Sequence, residues 1–570
     1  MARWFSALVL LLLLPAISLF PEGTLSATSA SDYQSLLELW TKWRQFEPPA
    51  VENCLPDYSA AAMSHKAPHL ATFQQQLATI DTSGWSVAQL GDKKLVAAEM
   101  NGMDFELRVL QPWARDPSFY ANVWGEDSDV PEHEGPSIHP VIDLQSYKYP
   151  LSKADQEKLT CLLGAIPPLL EQAKINLRGS NARDLWLYGD RAFREQSKTL
   201  TAYAAGKLEM RTLEGTKHAD LSGAKQALLD AIGKARAATD EFRAWIEAEA
   251  PKKTGPSGVG KENYDWYARN VHLVAYGWDE QVTLLRRELN RARASLALEE
   301  FRNRNLPPLE AVNDPQAWRA MASAKMRTLV DFLIDNRLVD DQEYLRAAMA
   351  AQLGDYTPPQ ARNFFAHGAA RDPSALYSHE YHWIELARRK HEPNKSPIRA
   401  APPLYDIYDS RSEGLATAME ELLMDAGLYD HSPRGREIVW AMLANRAARG
   451  LASLYVQANE MTLEEAGRFH ALWTPHGWSD PKSDLVAFEQ LLYLRQPGYG
   501  TSYITGKLEF DRLISEYCFA QEQKGKKFSL PEFFRQFNGA GVIPFELISA
   551  EMVDSTSPIK EERGAIAAAR

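Results

Sequence analysis

The chain has 570 residues, of which 45% are hydrophobic and 24% are charged, and its formal net charge at pH 7 is -12. This composition is ordinary for a folded protein and argues against global disorder. The acidic balance lacks the basic surface that nucleic-acid binding requires, so no nucleic-acid partner is expected. The length exceeds what one ordinary hydrophobic core supports, so two loosely divided lobes or one large body are expected.

The N-terminus has the order of a secretion signal. Arg3 supplies a positive charge, an apolar run extends from Trp4 to Phe20, and small residues follow as far as Ala30. Residues 1–30 are therefore predicted to be a signal peptide, and the protein to be exported to the periplasm or the extracellular space. An uncleaved membrane anchor is the alternative, and only then would a membrane be a partner. Pro15 interrupts the run, which favours the signal peptide, and no cysteine follows it to indicate a lipoprotein.

Helical periodicity dominates the rest of the chain. Ser222 to Ala250 has a strong amphipathic pattern, and Thr462 to Glu465 has the spacing of a capping box at a helix start. No strand-rich region and no repeat stands out, so the predicted fold class is all-α. The predicted divisions are an N-terminal helical lobe over residues 31–250, a linker over residues 251–262, a C-terminal helical lobe over residues 263–550 and a flexible tail over residues 551–570.

The three cysteines do not form a disulfide framework or a zinc knuckle. Cys54, Cys161 and Cys518 are far apart in sequence. One pair could bridge in an oxidising compartment. The favoured interpretation is that all three are small buried hydrophobic residues.

The segment from Gly255 to Lys261 has the spacing of a phosphate-binding P-loop. Such a loop follows a β-strand and has a serine or threonine after the lysine, but here a polar helix precedes it and Glu262 follows Lys261. A carboxylate at that position would repel phosphate. The segment is therefore predicted to be a linker that binds no nucleotide.

A loop rich in proline, glycine and acidic residues carries His133, Glu134 and His139. Gly135 and Pro136 separate the two histidines, so they cannot share a helix face. The loop is predicted to be a polar surface loop, and metal binding by the histidine pair is the alternative.

A third pattern joins two histidines and an acid on one short segment. His379 and His382 are three residues apart, so on a helix both side chains could reach one ion. Glu380 could orient or deprotonate a water at that ion. The usual zincin spacing places the second histidine four residues on, where Trp383 stands, so two hydrogen-bonded core histidines are the alternative.

Two later segments could complete such a site. Glu413 lies near the start of a predicted helix and is the expected third ligand from a second helix, whereas Glu420 and Glu421 are interpreted as a solvated face. A Pro-Gly turn then leads into a helix that begins near Thr501. Tyr503 on this helix could hydrogen-bond a developing oxyanion, and its alternative is a packed core position.

These motifs together resemble the family catalogued as domain of unknown function 885. The resemblance covers residues 364–548 well and residues 36–548 loosely. It rests on the His-Glu segment and on further motifs in chain order, namely Gly260 to Tyr264, Glu413-Gly-Leu-Ala416, Arg446-Ala-Ala-Arg449, Pro497 to Gly506, and Phe528-Ser-Leu530 with Gly541 and Pro544.

The resemblance implies an all-helical, zincin-like scaffold related to zinc metallocarboxypeptidases, with zinc as cofactor and a small peptide-like substrate. Glu413 matches the family's Glu-Gly ligand and Tyr503 its Ser-Tyr position. The expected ligands are thus His379, His382 and Glu413. The expected catalytic groups are the Glu380 base and Tyr503 with Arg449 at the oxyanion.

The sequence also departs from the family pattern. The usual His-Glu-Pro-Gly-His is compressed to His379-Glu-Tyr-His382. Ser453, Tyr455 and Gln457 stand where the family has Asp, Gly and His, and Phe533-Phe534 replaces Phe-His. Two functions therefore remain open: a zinc-dependent amide hydrolase, or a catalytically inactive binding or interaction protein on the same scaffold.

Overall fold

The computed structural model describes residues 27–136 and 138–553. Helices make up 67% of the described residues and strands 3%, which confirms the all-α prediction. Residues 1–26 of the predicted signal peptide and residues 554–570 of the predicted tail lie outside the described residues, whereas residues 551 and 552 belong to the last helix. Among the described helices, none combines the length and the apolar character needed to cross a membrane.

The described residues form twenty-four α-helices, and the connection between the fourth and the fifth spans residues 116–152. The first twelve are α1 Ala27–Phe46, α2 Ala60–Thr79, α3 Val87–Phe105, α4 Pro112–Arg115, α5 Lys153–Gly164, α6 Ile166–Asn176, α7 Arg183–Leu187, α8 Asp190–Ala204, α9 Gln226–Glu249, α10 Lys261–Asn270, α11 Trp278–Arg302 and α12 Pro315–Asp335. The next twelve are α13 Glu343–Ala351, α14 Phe364–Ala369, α15 Ser374–His379, α16 Tyr381–His391, α17 Pro397–Ala400, α18 Asp409–Asp425, α19 Gly435–Gln457, α20 Leu463–Trp473, α21 Asp484–Arg495, α22 Tyr499–Gln523, α23 Leu530–Ala540 and α24 Phe545–Met552.

Other regular segments are short. The strands pair as antiparallel β1 Val51–Glu52 with β2 Leu55–Pro56, parallel β3 Val123–Trp124 with β4 Ile142–Asp143, and antiparallel β5 Glu209–Thr212 with β6 Gly215–His218. A π-helix, Glu106–Leu110, continues α3. The 3-10 helices are Pro117–Tyr120, Leu144–Ser146, Leu177–Gly179, Ala250–Lys252, Pro359–Ala361 and Pro475–Gly477.

Local sequence explains where several helices begin. The Thr462 hydroxyl accepts a hydrogen bond from the Glu465 N–H, and the Glu465 carboxylate accepts one from the Thr462 N–H. This reciprocal pair is the capping box predicted at the start of α20. Ser86 and Gln89 form the same arrangement at α3. These caps satisfy N–H groups that have no partner within the helix.

The apolar side chains form two main cores that do not follow the chain in order. The smaller core draws on residues 58–250, and the larger core combines residues 36–110 with residues 259–553. The end of the smaller core coincides with the predicted boundary near residue 250. Helices α1 and α3, however, pack in the larger core. Helical periodicity did not predict this, since it shows which face of a helix is buried but not which partner covers it. The predicted division into two lobes stays a prediction.

A disulfide joins Cys54 to Cys161 and leaves Cys518 as a free thiol. The prediction of three unpaired, buried cysteines is therefore wrong. The sequence separation of 107 residues hid the pairing, since only the fold brings the turn between β1 and β2 next to Cys161 on α5. Such a crosslink restricts the unfolded chain over a long loop.

Candidate metal centre

Three side chains from separate helices meet inside the larger core. The Nε2 atoms of His379 and His382 lie 3.3 and 3.2 Å from Oε2 of Glu413. One ligand atom from each residue lies within 4.8 Å of the others. The His382 and Glu413 side chains are 2% exposed and the His379 side chain is 12% exposed. The three residues predicted as ligands are thus close enough to share one ion.

The two histidines come from two helices and not from one. Helix α15 ends at His379 and α16 begins at Tyr381, while Glu380 between them has a ψ of 8° that interrupts the helix. The prediction of a single helix through both histidines is wrong at this point. The break still leaves the imidazole rings 5.1 Å apart and nearly perpendicular.

A close helix crossing positions the carboxylate. Helix α18 carries Glu413 and crosses α22 where Gly414 meets Gly506. A Cβ atom on Gly506 would lie 2.0 Å from the Ser410 carbonyl oxygen, and one on Gly414 would lie 2.4 Å from the Gly506 Cα. Neither contact tolerates a side chain, so the two glycines let the helices touch along their backbones. This contact explains the Glu-Gly and Ser-Tyr-x-x-Gly motifs together.

Outer partners orient the atoms that do not face the centre. Nδ1 of His379 lies 3.1 Å from Oε1 of Glu420, and Arg446 donates to Oε2 of Glu420 at 2.9 Å and lies 2.7 Å from Oε1. The Tyr499 hydroxyl lies 2.5 Å from Oε1 of Glu413. His379 Nε2 and Glu413 Oε2 are therefore left pointing at the centre, as metal-binding residues require.

The interpretation of Glu420 and Glu421 as a solvated face is wrong. Glu420 is 1% exposed and is held by His379 and Arg446. Glu421 is largely buried and pairs with Arg291 and Lys507. Helix α18 is surrounded by other helices, so its charged residues are neutralised by partners from those helices and not by water.

The buried charges at the centre reinforce one another. Burial alone would lower the pKa of His382, but the Glu413 carboxylate outweighs it and raises the pKa to about 9. Burial alone would raise the pKa of Glu413, but the two imidazoles hold that pKa well below its usual range. The pair therefore favours an ionised carboxylate at the centre.

Glu380 lies at the junction between the two histidine-bearing helices. Its side chain is half-buried. Desolvation raises the pKa of its carboxyl group, Asp129 adds to that rise, and His379 opposes it. This predicted base is thus next in sequence to one candidate ligand and two residues from another.

Tyr503 and Arg449 both lie beside the centre, but the Arg449 side chain is already engaged in an ion pair. The Tyr503 ring stacks on the His379 ring at 6.0 Å, and the Arg449 guanidinium lies 4.2 Å from the Tyr503 ring centroid. Arg449 also forms a short buried ion pair with Glu489. The geometry brings Tyr503 to the candidate ligands and makes Arg449 a support for its ring.

The loop around Glu134 contributes a residue that the sequence did not reveal. The Tyr499 hydroxyl contacts Glu134 at 2.7 Å as well as Glu413. A phenol has one proton and donates to one carboxylate at a time. Desolvation raises the pKa of Glu134 to about 8, and Asp129 adds to the rise, so Glu134 readily holds the second proton. The predicted polar surface loop is instead half-buried against the centre.

The positions that depart from the family pattern support the backbone. Gln457 donates to the Tyr493 and Leu494 carbonyls and accepts from the Val259 N–H. The Ser453 hydroxyl donates to the Gly450 carbonyl. These hydrogen bonds hold α19 and its neighbouring segments in place.

The Gly255–Lys261 segment offers no open row of N–H groups. The Gly255 and Gly260 N–H groups donate to the Asn181 and Gln457 carbonyls, both at 2.8 Å. The Gly258 N–H donates to the Asn459 side chain at 2.8 Å. A phosphate cradle needs these donors to face the ligand.

A family model described as bacterial protein of unknown function (DUF885) matches residues 45–364. The chain belongs to this family. The match ends before His379, so the candidate ligands lie beyond the matched residues. No curated protein matches the chain.

Two solved structures share the fold of this DUF885 protein. One is described as a putative lipoprotein of unknown function from Shewanella oneidensis, with 14% identity, a TM-score of 0.62, and coverage of 92% of this chain and 99% of that one. The other is described as the putative lipoprotein from Colwellia psychrerythraea, with 14% identity, a TM-score of 0.60, and coverage of 92% and 98%. At this identity the likeness concerns the fold alone.

Proposed function

We propose that this protein is an exported, zinc-dependent hydrolase that cleaves amide bonds in small peptide-like substrates on a zincin-like metallopeptidase scaffold. The observation that carries the proposal is the convergence of His379, His382 and Glu413 with ligand atoms within 4.8 Å of one another. Two imidazoles and one carboxylate are a donor set found in catalytic zinc sites, where a fourth position stays open.

The surroundings support an ion better than a plain hydrogen-bonded core group. His379 has a carboxylate partner on its outer nitrogen, and Glu413 has a phenol on its outer oxygen. Both devices fix the orientation of a ligand and raise its affinity for metal.

The chain's own residues supply the remaining chemistry. When bound, zinc would polarise a carbonyl and make water a nucleophile near neutral pH. Glu380 would take the proton of the attacking water and pass it to the leaving amine. The Tyr503 hydroxyl would donate to the developing oxyanion, with Arg449 supporting the Tyr503 ring.

Export is supported by three independent observations. The first residues have the order of a signal peptide. Cys54 and Cys161 form a disulfide, which persists in oxidising compartments. The two solved structures that share the fold are both named putative lipoproteins.

Metal analysis of the purified protein tests the proposal. We expect one zinc per chain, loss of that zinc in Glu413→Ala, and retention in Glu464→Ala, which removes an exposed carboxylate on α20. Glu380→Gln should keep the zinc and lose peptide hydrolysis, because an amide cannot accept the proton. Stoichiometric zinc in Glu413→Ala would show that the ligand set is wrong.

A wild-type protein that binds no metal would instead support the inactive scaffold. In that case His379, His382 and Glu413 would be a buried hydrogen-bonded group, and the chain would act as a binding or interaction protein. Hydrolysis by the wild type that survives chelation would also contradict the zinc mechanism.

A further inference from the structure

A cavity of about 340 Å³ lies beside the loop that carries Glu134. It lies between α1, the start of the π-helix, the 124–140 loop and the chain that leads into α18. Its wall contains the carboxylates of Glu47, Glu106, Glu132 and Asp406. Apolar and aromatic side chains such as Trp113 complete the lining. The cavity is large enough for a small organic group.

The two cations in the cavity wall are already engaged. The Lys66 ammonium donates to the carbonyls of Phe46, Glu47 and Pro48 at 3.1, 2.6 and 3.0 Å. Arg44 pairs with Glu99 at 2.5 Å and donates to the Pro402 carbonyl. The Lys66 charge also favours the ionised form of Glu106, so the acidic wall is partly neutralised.

His133 adds an acceptor to the same wall. Its side chain is 10% exposed, and its Nε2 lies 2.6 Å from Oδ1 of Asp143. If that nitrogen carries the proton and donates to Asp143, Nδ1 is a bare acceptor. Nδ1 is buried and has no hydrogen-bond partner. A buried acceptor without a partner is costly unless a ligand satisfies it.

One phenol links the loop that lines the cavity to the centre. Gly135 lines the cavity, and the adjacent Glu134 contacts the Tyr499 hydroxyl, which in turn contacts Glu413. Asp406 lies just before α18, which carries Glu413. The loop that carries Glu134 thus lines the cavity on one side and contacts the hydrogen-bonded group around Glu413 on the other.

We propose that this cavity binds a protonated amino group of the substrate, with Asp406 and Glu106 as charged partners and His133 Nδ1 as an acceptor. This inference rests on the proposed function and narrows its substrates to peptide-like molecules that carry an amine beside the cleaved bond. An ammonium group has three N–H donors and no acceptor, which suits a wall of carboxylates and one bare nitrogen.

The electrostatics of the wall agree with a cationic guest. Desolvation raises the pKa of Glu106 to about 8, and the neighbouring Glu47 adds to the rise. Desolvation also raises the pKa of Asp406 to about 7. Near neutral pH both groups are therefore partly protonated in the empty cavity, and a bound ammonium would lower their pKa values and favour the ionised forms.

Calorimetry with lysyl-alanine and its diacetyl derivative tests the inference. The full-length Glu380→Gln protein is used, so that hydrolysis does not consume the probe. We expect lysyl-alanine to bind at least tenfold more tightly than the diacetyl form. Asp406→Asn combined with Glu106→Gln should abolish that preference. Asp331→Asn, which removes an exposed carboxylate elsewhere, should preserve it.

The variants are chosen to fold. Asp406 has a φ of 56°, a conformation that asparagine tolerates well, and the amide keeps the shape of the side chain. If the double variant does not fold, Asp406→Asn alone should reduce the preference severalfold. Equal binding of both probes, no binding of either, or an unchanged preference in the folded variant would overturn the inference.

The outcome is separable from that of the proposed function. Binding of lysyl-alanine is measured without turnover, whereas zinc content and hydrolysis are measured on other samples. A protein without zinc that still discriminates the two probes would keep the amine cavity and lose the hydrolase. A zinc hydrolase that does not discriminate them would keep the hydrolase and lose the amine cavity.

Discussion

The His379 cluster, formed by His379, His382 and Glu413, differs from the Gly255–Lys261 segment in where its polar atoms point. Both regions contain a motif that the sequence offers as a possible binding site. In the segment, the N–H groups that a phosphate would need donate to oxygens of the protein itself. In the cluster, outer partners hold Glu413 and His379 so that one atom of each faces a common point. The segment has the better spacing in sequence, and the cluster has the better geometry.

The difference teaches that a motif becomes a site only where its polar atoms converge and keep bonding capacity. Gly258 packs on the carbonyls of Val456 and Gln457, with which an added Cβ would collide at 2.4 and 2.5 Å. Its conformation serves packing. Gly414 and Gly506 also serve packing, but their contact brings a carboxylate to two imidazoles.

The largest expected effect is on the α18–α22 crossing. Gly506→Ala places a methyl group 2.0 Å from the Ser410 carbonyl, a backbone atom that no rotamer change can move. We expect the unfolding free energy to fall by about 3 kcal/mol or more, and zinc affinity to fall with it. Urea denaturation and zinc titration measure both.

Gly539→Ala on α23 is the matched control, since nothing lies within 4 Å of its added Cβ. Alanine should stabilise that helix slightly, by up to about 1 kcal/mol. If Gly506→Ala is as stable as Gly539→Ala, the crossing is looser than described and cannot position Glu413.

Removing the charge on Glu420 should weaken zinc binding at the His379 cluster. In Glu420→Gln the partner of His379 Nδ1 loses its negative charge, so that imidazole becomes a weaker ligand. We expect zinc affinity to fall roughly 10- to 100-fold. Competition with a chelating dye measures the change, and Glu464→Gln is the exposed control. Unchanged affinity would mean that Glu420 only neutralises Arg446.

Gly258→Ala tests the packing role of the segment. The added methyl group meets two backbone carbonyls of α19, so we expect a loss of about 1–3 kcal/mol in unfolding free energy. Thermal denaturation compares it with Gly233→Ala on α9, where nothing lies within 4 Å. A Gly258→Ala protein with wild-type stability would indicate a segment free to rearrange around a ligand.

The smallest expected effect is that of nucleotide on the segment. The Lys261 ammonium pairs with Glu460 at 2.7 Å and lies over the Trp278 ring. Calorimetry with ATP, GTP and magnesium should give no heat of binding, for the wild type and for Lys261→Ala alike. Micromolar affinity that disappears in Lys261→Ala would reverse the comparison between the two regions.

The sequence alone predicted the features that depend on residue type and on short spacings along the chain. The helical class followed from periodicity, and the Thr462–Glu465 cap followed from spacing. His379, His382 and Glu413 were named as partners because their residue types suit one ion, and they do lie together. Their role as ligands stays a prediction until metal is measured.

What sequence reasoning missed depends on contacts between distant segments. Glu134 and Tyr499 are 365 positions apart, and the loop carrying Glu134 has no helical pattern to assign a direction. Glu420 lies on a face that resembles a solvated one until the neighbouring helices are in place. The Cys54–Cys161 pair likewise required the fold.

Because of the Cys54–Cys161 disulfide, the stability of this fold depends on whether the surrounding compartment is oxidising. Before oxidation the segment between the two cysteines lacks a crosslink worth roughly 4–5 kcal/mol for a loop of this length. If the chain is exported as proposed, the reduced precursor is easier to unfold, as threading through a membrane as an extended chain demands. The oxidised protein would resist the same unfolding after export, because the disulfide forms and persists in an oxidising compartment.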